Sequence, residues 1–263
     1  MKKYLLYVLV NYNIKYYIKM FKIFLKSLVL FSDMSSFDLM IITDERSEEY
    51  IKNIKELNKF TYDVLIRPDE EDLKHSLLRK FDIAHYEKFM DYSRILYIDI
   101  DVIVQKDIKN IFKSVPKLLS NTLYATKEGT LEGRYWYLNS YHESNIEKLK
   151  KEKIDSFNSG MFMFKPDAKM KKHFLKLKTF AENYYEKNGE KSVESFFDQS
   201  FMNYYFNINR LSNTEYMNEM YVMFPDTDKY YPNKTVLHIA GLGRYKEKSK
   251  IMNKYLKFIV SKK

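Results

Sequence analysis

The stretch RILYIDIDVIVQKDI, Arg94 to Ile108, decides the fold. Ile95 to Val104 is almost wholly apolar, yet it carries Asp99 and Asp101 two residues apart. An ionised carboxylate in an apolar medium costs several kcal/mol unless it is paired, so two acids in one apolar run need a partner. Ile95–Ile98 reads as a buried strand, and the acids stand where it ends.

Working outward, the preceding residues alternate between strand and helix. Tyr4–Val10 is an apolar run of strand length. Residues 14–29 have helical periodicity, with Tyr17, Phe21, Phe24 and Leu28 on one face and Lys15, Lys19, Lys22 and Lys26 on another. Phe37–Glu45 reads as a strand with a helix cap at Thr43 or Asp44, Ser47–Lys59 as a helix, and Tyr62–Ile66 as a short strand. Pro68–Asp72 opens a helical stretch predicted to reach Met90. This alternation predicts an α/β fold with a mostly parallel central sheet flanked by helices. Ligands in such sheets bind beyond the carboxyl ends of the strands, which is where Asp99 and Asp101 fall.

Beyond the acids, Thr122–Thr126 and Phe157–Lys165 read as strands, Pro166–Lys187 and Phe196–Phe206 as helices, and Thr235–Ala240 as a strand. Residues 127–156 form a polar and aromatic insertion, expected to be an acceptor site or lid through Tyr135, Trp136, Tyr137, Tyr141 and His142. Residues 246–263 form a basic C-terminal helix, expected to dock on the domain or to touch an anionic membrane peripherally.

The 263 residues include 45% hydrophobic and 30% charged side chains, with only 6 Gly and 5 Pro. Without a linker or repeat, they are expected to make one domain, 1–263. The absence of cysteine excludes disulfides, thiolate metal sites and a cysteine nucleophile. The N-terminal apolar run is short and lacks a small-residue cleavage site. No run reaches membrane-spanning length, so a cytoplasmic or otherwise soluble protein is expected. A formal charge of +10 attracts anions, but most of it is lysine, which also suits a merely solvated face. No nucleic-acid recognition motif accompanies it, and no nucleic-acid partner is expected.

Two carboxylates beside a turn at Ile100 can hold a hard cation. Oxygen ligands favour Mg²⁺ or Mn²⁺, and an added imidazole favours Mn²⁺. YIDIDVIVQKDIKNIF resembles the metal-binding Asp-x-Asp segment of glycosyltransferase family 8, the glycogenin family. FNSGMFMF (157–164), FFDQSFMN (196–203), VLHIAGLGR (236–244) and LRKFDI (78–83) resemble further segments of that family, in its order.

The resemblance implies a GT-A fold and a retaining, metal-dependent transfer from a UDP-sugar to a glycan or protein acceptor. It implies Asp99, Asp101 and His238 as Mn²⁺ ligands. Val10, Asn11, Tyr17, Lys80, Ile100, Gly241 and Arg244 would contact the nucleotide, Arg244 standing where the family usually has Lys. Asn158, Ser159, Asp198 and Gln199 would face the sugar, with Asp198 and Gln199 serving catalysis. Asp198 has a second reading as a helix cap, Tyr17 as core, and Lys80 as a solvated helix lysine. The family often has an acid at the position of Ser195. Rival readings are a nucleotidyltransferase, disfavoured because VLVNYNIKYY contains no glycine, and a non-catalytic nucleotide-sugar-binding protein. Oligomeric state is open, a dimer included.

Overall fold

The computed structural model describes residues 4–11, 14–69, 73–130, 147–148, 151–188, 197–241 and 245–262. Its centre is a seven-stranded sheet in the order β3-β2-β1-β4-β7-β6-β8. The strands are β1 (Tyr4–Val10), β2 (Asp38–Asp44), β3 (Tyr62–Arg67), β4 (Arg94–Ile98), β6 (Leu123–Thr130), β7 (Asp155–Phe164) and β8 (Ser212–Asn213). A second sheet joins β5 (Val102–Val104), β10 (Val236–His238) and β9 (Tyr221–Met223) in the order β5-β10-β9.

β1 shows why the sheet must be covered on both faces. Leu6, Val8 and Val10 point into one apolar core; Leu5, Tyr7 and Leu9 point into the other. Period-two alternation of uniformly apolar residues has no stable solution with one face in water. The first core is closed by α1 (Ile14–Phe31) and α7 (Tyr245–Val260), which pack together through Phe21, Phe24 and Leu28 on one side and Met252, Tyr255, Leu256 and Ile259 on the other. The basic terminal helix therefore docks on the body of the protein. The second core is closed by α3 (Leu73–Leu78), α5 (Ala168–Asn188) and α6 (Phe197–Ile208). Two shorter helices are α2 (Glu45–Lys52), capped by Asp44 through a 2.7 Å bond from Ser47 N–H, and α4 (Lys109–Ser114). Among the described residues no helix is long and apolar enough to cross a membrane.

One expectation needs correction. The continuous helix to Met90 is instead α3 followed by 3-10 turns over Arg79–His85 and Glu87–Asp91. The segment is enclosed on several sides, so the consecutive Lys80, Phe81 and Asp82 are all buried. The sheet is mostly parallel, as expected, with β7 the one reversed strand among those described. β1 to β4 run parallel, but β7 is antiparallel to both β4 and β6.

The reversal matters for the site. Ile98 at the end of β4 pairs with Met161, so the first half of β7 runs on past that end. Asn158, Ser159 and Gly160 are thereby carried to the carboxyl edge of the sheet, beside the two acids. Asp99 N–H donates to Gly160 C=O at 2.8 Å.

Candidate active site and metal centre

After β4 the chain turns at Ile100 and leaves the large sheet as β5. β10 pairs antiparallel with β5, His238 opposite Val102, and Ile239 N–H donates to Asp101 C=O at 2.9 Å. This second sheet brings His238 to the acids across more than a hundred residues of chain. One ligand atom from each of Asp99, Asp101 and His238 lies within 4.8 Å of the others. His238 Nε2 is 2.9 Å from Asp101 Oδ1 and 3.7 Å from Asp99 Oδ2.

The surroundings fit a hard divalent cation. Two carboxylates and an imidazole are a donor set for Mn²⁺ or Mg²⁺. Gly160 makes the room: a Cβ there would stand 2.5 Å from His238 Cε1 and 2.7 Å from Asp99 Oδ2. A phenol orients the imidazole, since Tyr221 Oη hydrogen-bonds His238 Nδ1. Tyr221 in turn donates to Asn158 Oδ1 at 3.1 Å. With Nδ1–H donating to the phenol oxygen, Nε2 is left as a lone-pair donor toward the acids, the outer-sphere support that metal-bound histidines need. Burial keeps the Tyr221 phenol protonated, well above its ordinary pKa.

The two acids differ electrostatically. Burial pushes Asp99 up, against the pull of Lys80, and the neighbouring Asp101 charge adds to the rise. Burial acts on Asp101 the same way, but His238 and Lys248 outweigh it and hold that carboxyl far below its usual range. His238 is driven down by burial and up by Asp101, and the acid wins.

A cleft of about 470 Å³ opens over this cluster. Asp99, Ile100, Asp101, Asn158, Ser159, Asp198, Gln199, His238 and Gly241 all line it. One wall is apolar, made by Leu9, Tyr17, Met20, Leu73 and Leu77. Gly241 has φ +65, and its missing Cβ would meet the Phe224 ring at 2.8 Å, so the close approach demands glycine.

Other expected residues fall elsewhere. Val10 is enclosed in the core, its carbonyl accepting from Thr43 Oγ1, and Asn11 donates to Ser76 C=O at 3.0 Å. Neither lines the cleft; Tyr17 does. Lys80 is not a solvated lysine. It is 1% exposed, 2.8 Å from Asp198 Oδ2, 3.9 Å from Asp99 Oδ1, and 4.5 Å above the Tyr97 ring. It sits behind the cleft and ties its two acidic corners together. Burial pulls its pKa down, but Asp198 and Asp99 more than reverse this, so it stays charged. Asp198 lies in the first turn of α6, after Phe197, rather than capping it. Arg244, Ser195 and residues 131–146 with their aromatics lie outside the described residues.

Sequence reasoning missed Glu128. Its carboxylate accepts from Asn158 Nδ2 at 2.9 Å and from Gln199 Nε2 at 3.0 Å. Gln199 Oε1 accepts from Ser159 N–H at 3.2 Å, so its amide orientation is determined at both ends. The available signal was an acid shortly beyond Thr126 in a strand that continues to Thr130. Lys248 was missed too, although a lysine in the first turn of a helix opposes the helix dipole and calls for an acid partner. It finds Asp101 Oδ2 at 2.6 Å.

A mixed α/β sheet with paired acids at a strand end, an opposing histidine and an amide-lined cleft is the GT-A type of nucleotide-binding glycosyltransferase fold. The model of glycosyl transferase family 8 matches residues 8–259, and the chain belongs to that family. A glycogenin from Komagataella phaffii is 32% identical over 116 residues, 44% of this chain and 21% of that protein. The matched part thus spans about a fifth of that relative's length.

The galactosyltransferase LgtC, solved with donor and acceptor sugar analogues, shares the fold with TM-score 0.62 at 13% identity, covering 95% of each chain. Mouse xyloside xylosyltransferase 1 shares it with TM-score 0.59 at 14% identity, over 90% of this chain and 97% of that one.

Proposed function

We propose that this protein transfers a hexose or N-acetylhexosamine from a UDP-sugar to a hydroxyl of a glycan or protein, with retention at the anomeric carbon. The observation that carries the reading is the meeting of Asp99, Asp101 and His238 within 4.8 Å, under a cleft that also holds Asp198, Gln199 and Glu128. Family membership sets the reaction class.

Asp99, Asp101 and His238 would hold Mn²⁺ or Mg²⁺, which as a Lewis acid stabilises the departing diphosphate. The remaining work falls to the chain. The apolar wall around Tyr17 and Leu73 suits a planar base, as apolar pockets with few polar anchors do. Gln199 and Asn158, held by Glu128, present oriented amides to sugar hydroxyls.

Asp198 and Glu128 line the cleft with carboxylates that would face the anomeric carbon, where positive charge grows in an oxocarbenium-like transition state. Lys80 fixes Asp198 by a buried ion pair and shields it from the charge of Asp99. The preorganised groups need not rearrange as charge develops, which is where such sites gain rate.

The test is UDP release from a panel of UDP-sugars, with Mn²⁺ or with chelator, by wild type and Asp101→Asn. Release from one sugar that needs both Mn²⁺ and Asp101 is the expected result. Mn²⁺-dependent UDP binding without release, even with hydroxyl acceptors supplied, would favour a nucleotide-sugar-binding protein. Release unaffected by chelator would overturn the metal role.

A further inference from the structure

Asp101 has both oxygens occupied from the C-terminal part of the chain. His238 Nε2 takes Oδ1 at 2.9 Å, and Lys248 Nζ takes Oδ2 at 2.6 Å. The two lysines of the site are unlike. Lys80 has a side chain 2% exposed and is anchored on Asp198 behind the cleft. Lys248 has a side chain 14% exposed, lines the cleft, and comes from the start of α7. An alkylammonium is a compact charge on a flexible stem and can change partners without moving its helix.

A divalent cation on Asp101 and an ammonium 2.6 Å from the same carboxylate repel each other strongly at such short range. The ammonium must then withdraw, and the open direction is the cleft. Resting on the metal-dependent donor reading above, we propose that Lys248 has two positions. It neutralises Asp101 when no divalent cation is bound, and it moves onto the diphosphate of the donor when one is. Metal and nucleotide diphosphate then bind as a linked pair, each strengthening the other, because either one frees Lys248 for its second position. The residue lies outside the segments that carry the family resemblance.

The proposal predicts effects of opposite sign from one substitution, which a merely structural lysine would not produce. Binding of Mn²⁺ alone is followed by electron paramagnetic resonance, and binding of UDP at saturating Mn²⁺ by calorimetry. Lys248→Met is expected to bind Mn²⁺ at least fivefold tighter than wild type and UDP at least tenfold weaker. Lys248→Gln provides the same pair of readings if the methionine variant does not fold, and Lys248→Arg is expected to retain UDP binding. Lys254→Met is the control: it lies on the same helix, its side chain is 72% exposed, and it pairs with Asp228 away from the cleft.

Unchanged or weakened Mn²⁺ binding in both Lys248→Met and Lys248→Gln, or unchanged UDP binding, overturns the two-position role while leaving the metal site standing. No Mn²⁺ binding by wild type overturns the metal reading and the inference with it.

Discussion

Asp82 and Asp101 are both carboxylates pressed against cations, and they do opposite things. Asp82 is 1% exposed and faces three basic groups: Lys178 at 2.6 Å, Arg67 at 3.3 Å and Arg79 at 3.4 Å. Those residues come from α5, from β3 and from the 3-10 turn that holds Asp82 itself. Asp82 does not line the cleft, and the cluster reads as a staple among three elements. Asp101 has the Lys248 ammonium and the His238 imidazole as neighbours; its side chain is 13% exposed, and both neighbours line the cleft with it. Burial of charge by itself therefore marks neither site. What separates them is where the partners stand: those of Asp82 lie away from the cleft, whereas both partners of Asp101 line it. An acid held among packed elements contributes to stability; an acid whose partners border the cleft is available to a ligand.

The sharpest way to break this contrast is Asp82→Ala. It strands partly buried positive charge and is expected to cost about 3 kcal/mol of stability, read from urea unfolding. Mn²⁺ affinity of the folded fraction should change little. Asp101→Asn should do the reverse. We expect turnover to fall by about 10²–10³, as when a transition-state electrostatic group is removed, with a smaller loss of stability than Asp82→Ala causes. If Asp101→Asn were as destabilising as Asp82→Ala, the distinction would collapse.

Gly160→Ala sharpens the comparison from the side of space rather than charge. Its methyl group would fall between His238 and Asp99, so Mn²⁺ binding by calorimetry should weaken at least tenfold with all three ligands still present.

The smallest effect concerns an acid outside both clusters. Asp167 caps α5, accepting from Met170 N–H at 2.8 Å and from Ser120 Oγ at 2.7 Å. Burial opposes ionisation there, but these bonds outweigh it and hold the carboxyl below its ordinary pKa. A depressed folded value means the stabilisation is full above the unfolded pKa of about 3.9 and is lost as pH falls through the folded value. Asp167→Ala should cost about 1 kcal/mol near neutral pH. The gap from wild type should close in acid, as urea midpoints at the two pH values would show.

Much of the fold was readable because its first half is local. β1, α1, β2, β3 and β4 follow from apolar runs and helical spacing within each segment. α3 was overextended because acids and apolar residues from Pro68 to Met90 fit helical spacing. In the tight turns that replace most of that helix, Lys80 to Ala84 are all buried, which helical spacing does not foretell. The direction of β7 was not readable, because a buried strand has the same apolar composition whichever way it runs.

Within the site, the Asp-x-Asp, Asn-Ser-Gly, Asp-Gln and His segments were legible as short motifs. Val10 and Asn11 were expected at the nucleotide because they stand at the right connection. Yet the cleft is lined by Leu9 and Tyr17: Val10 points to the opposite side of the strand from Leu9, and Asn11, just past the strand, is turned to Ser76 C=O. Glu128, Tyr221 and Lys248 belong to no motif and became visible only through what they touch.

The sequence by itself determined the alternating elements, the two acids at a strand end and the residue types able to hold a cation, since these depend on neighbours a few positions apart. Only the tertiary structure decided that β7 runs antiparallel past β4, that the small sheet delivers His238 to Asp101, and that Lys80 is enclosed while Lys248 faces the cleft. Those outcomes depend on contacts between segments far apart in the chain, where packing and the cost of burying charge choose among arrangements that local propensity leaves equal.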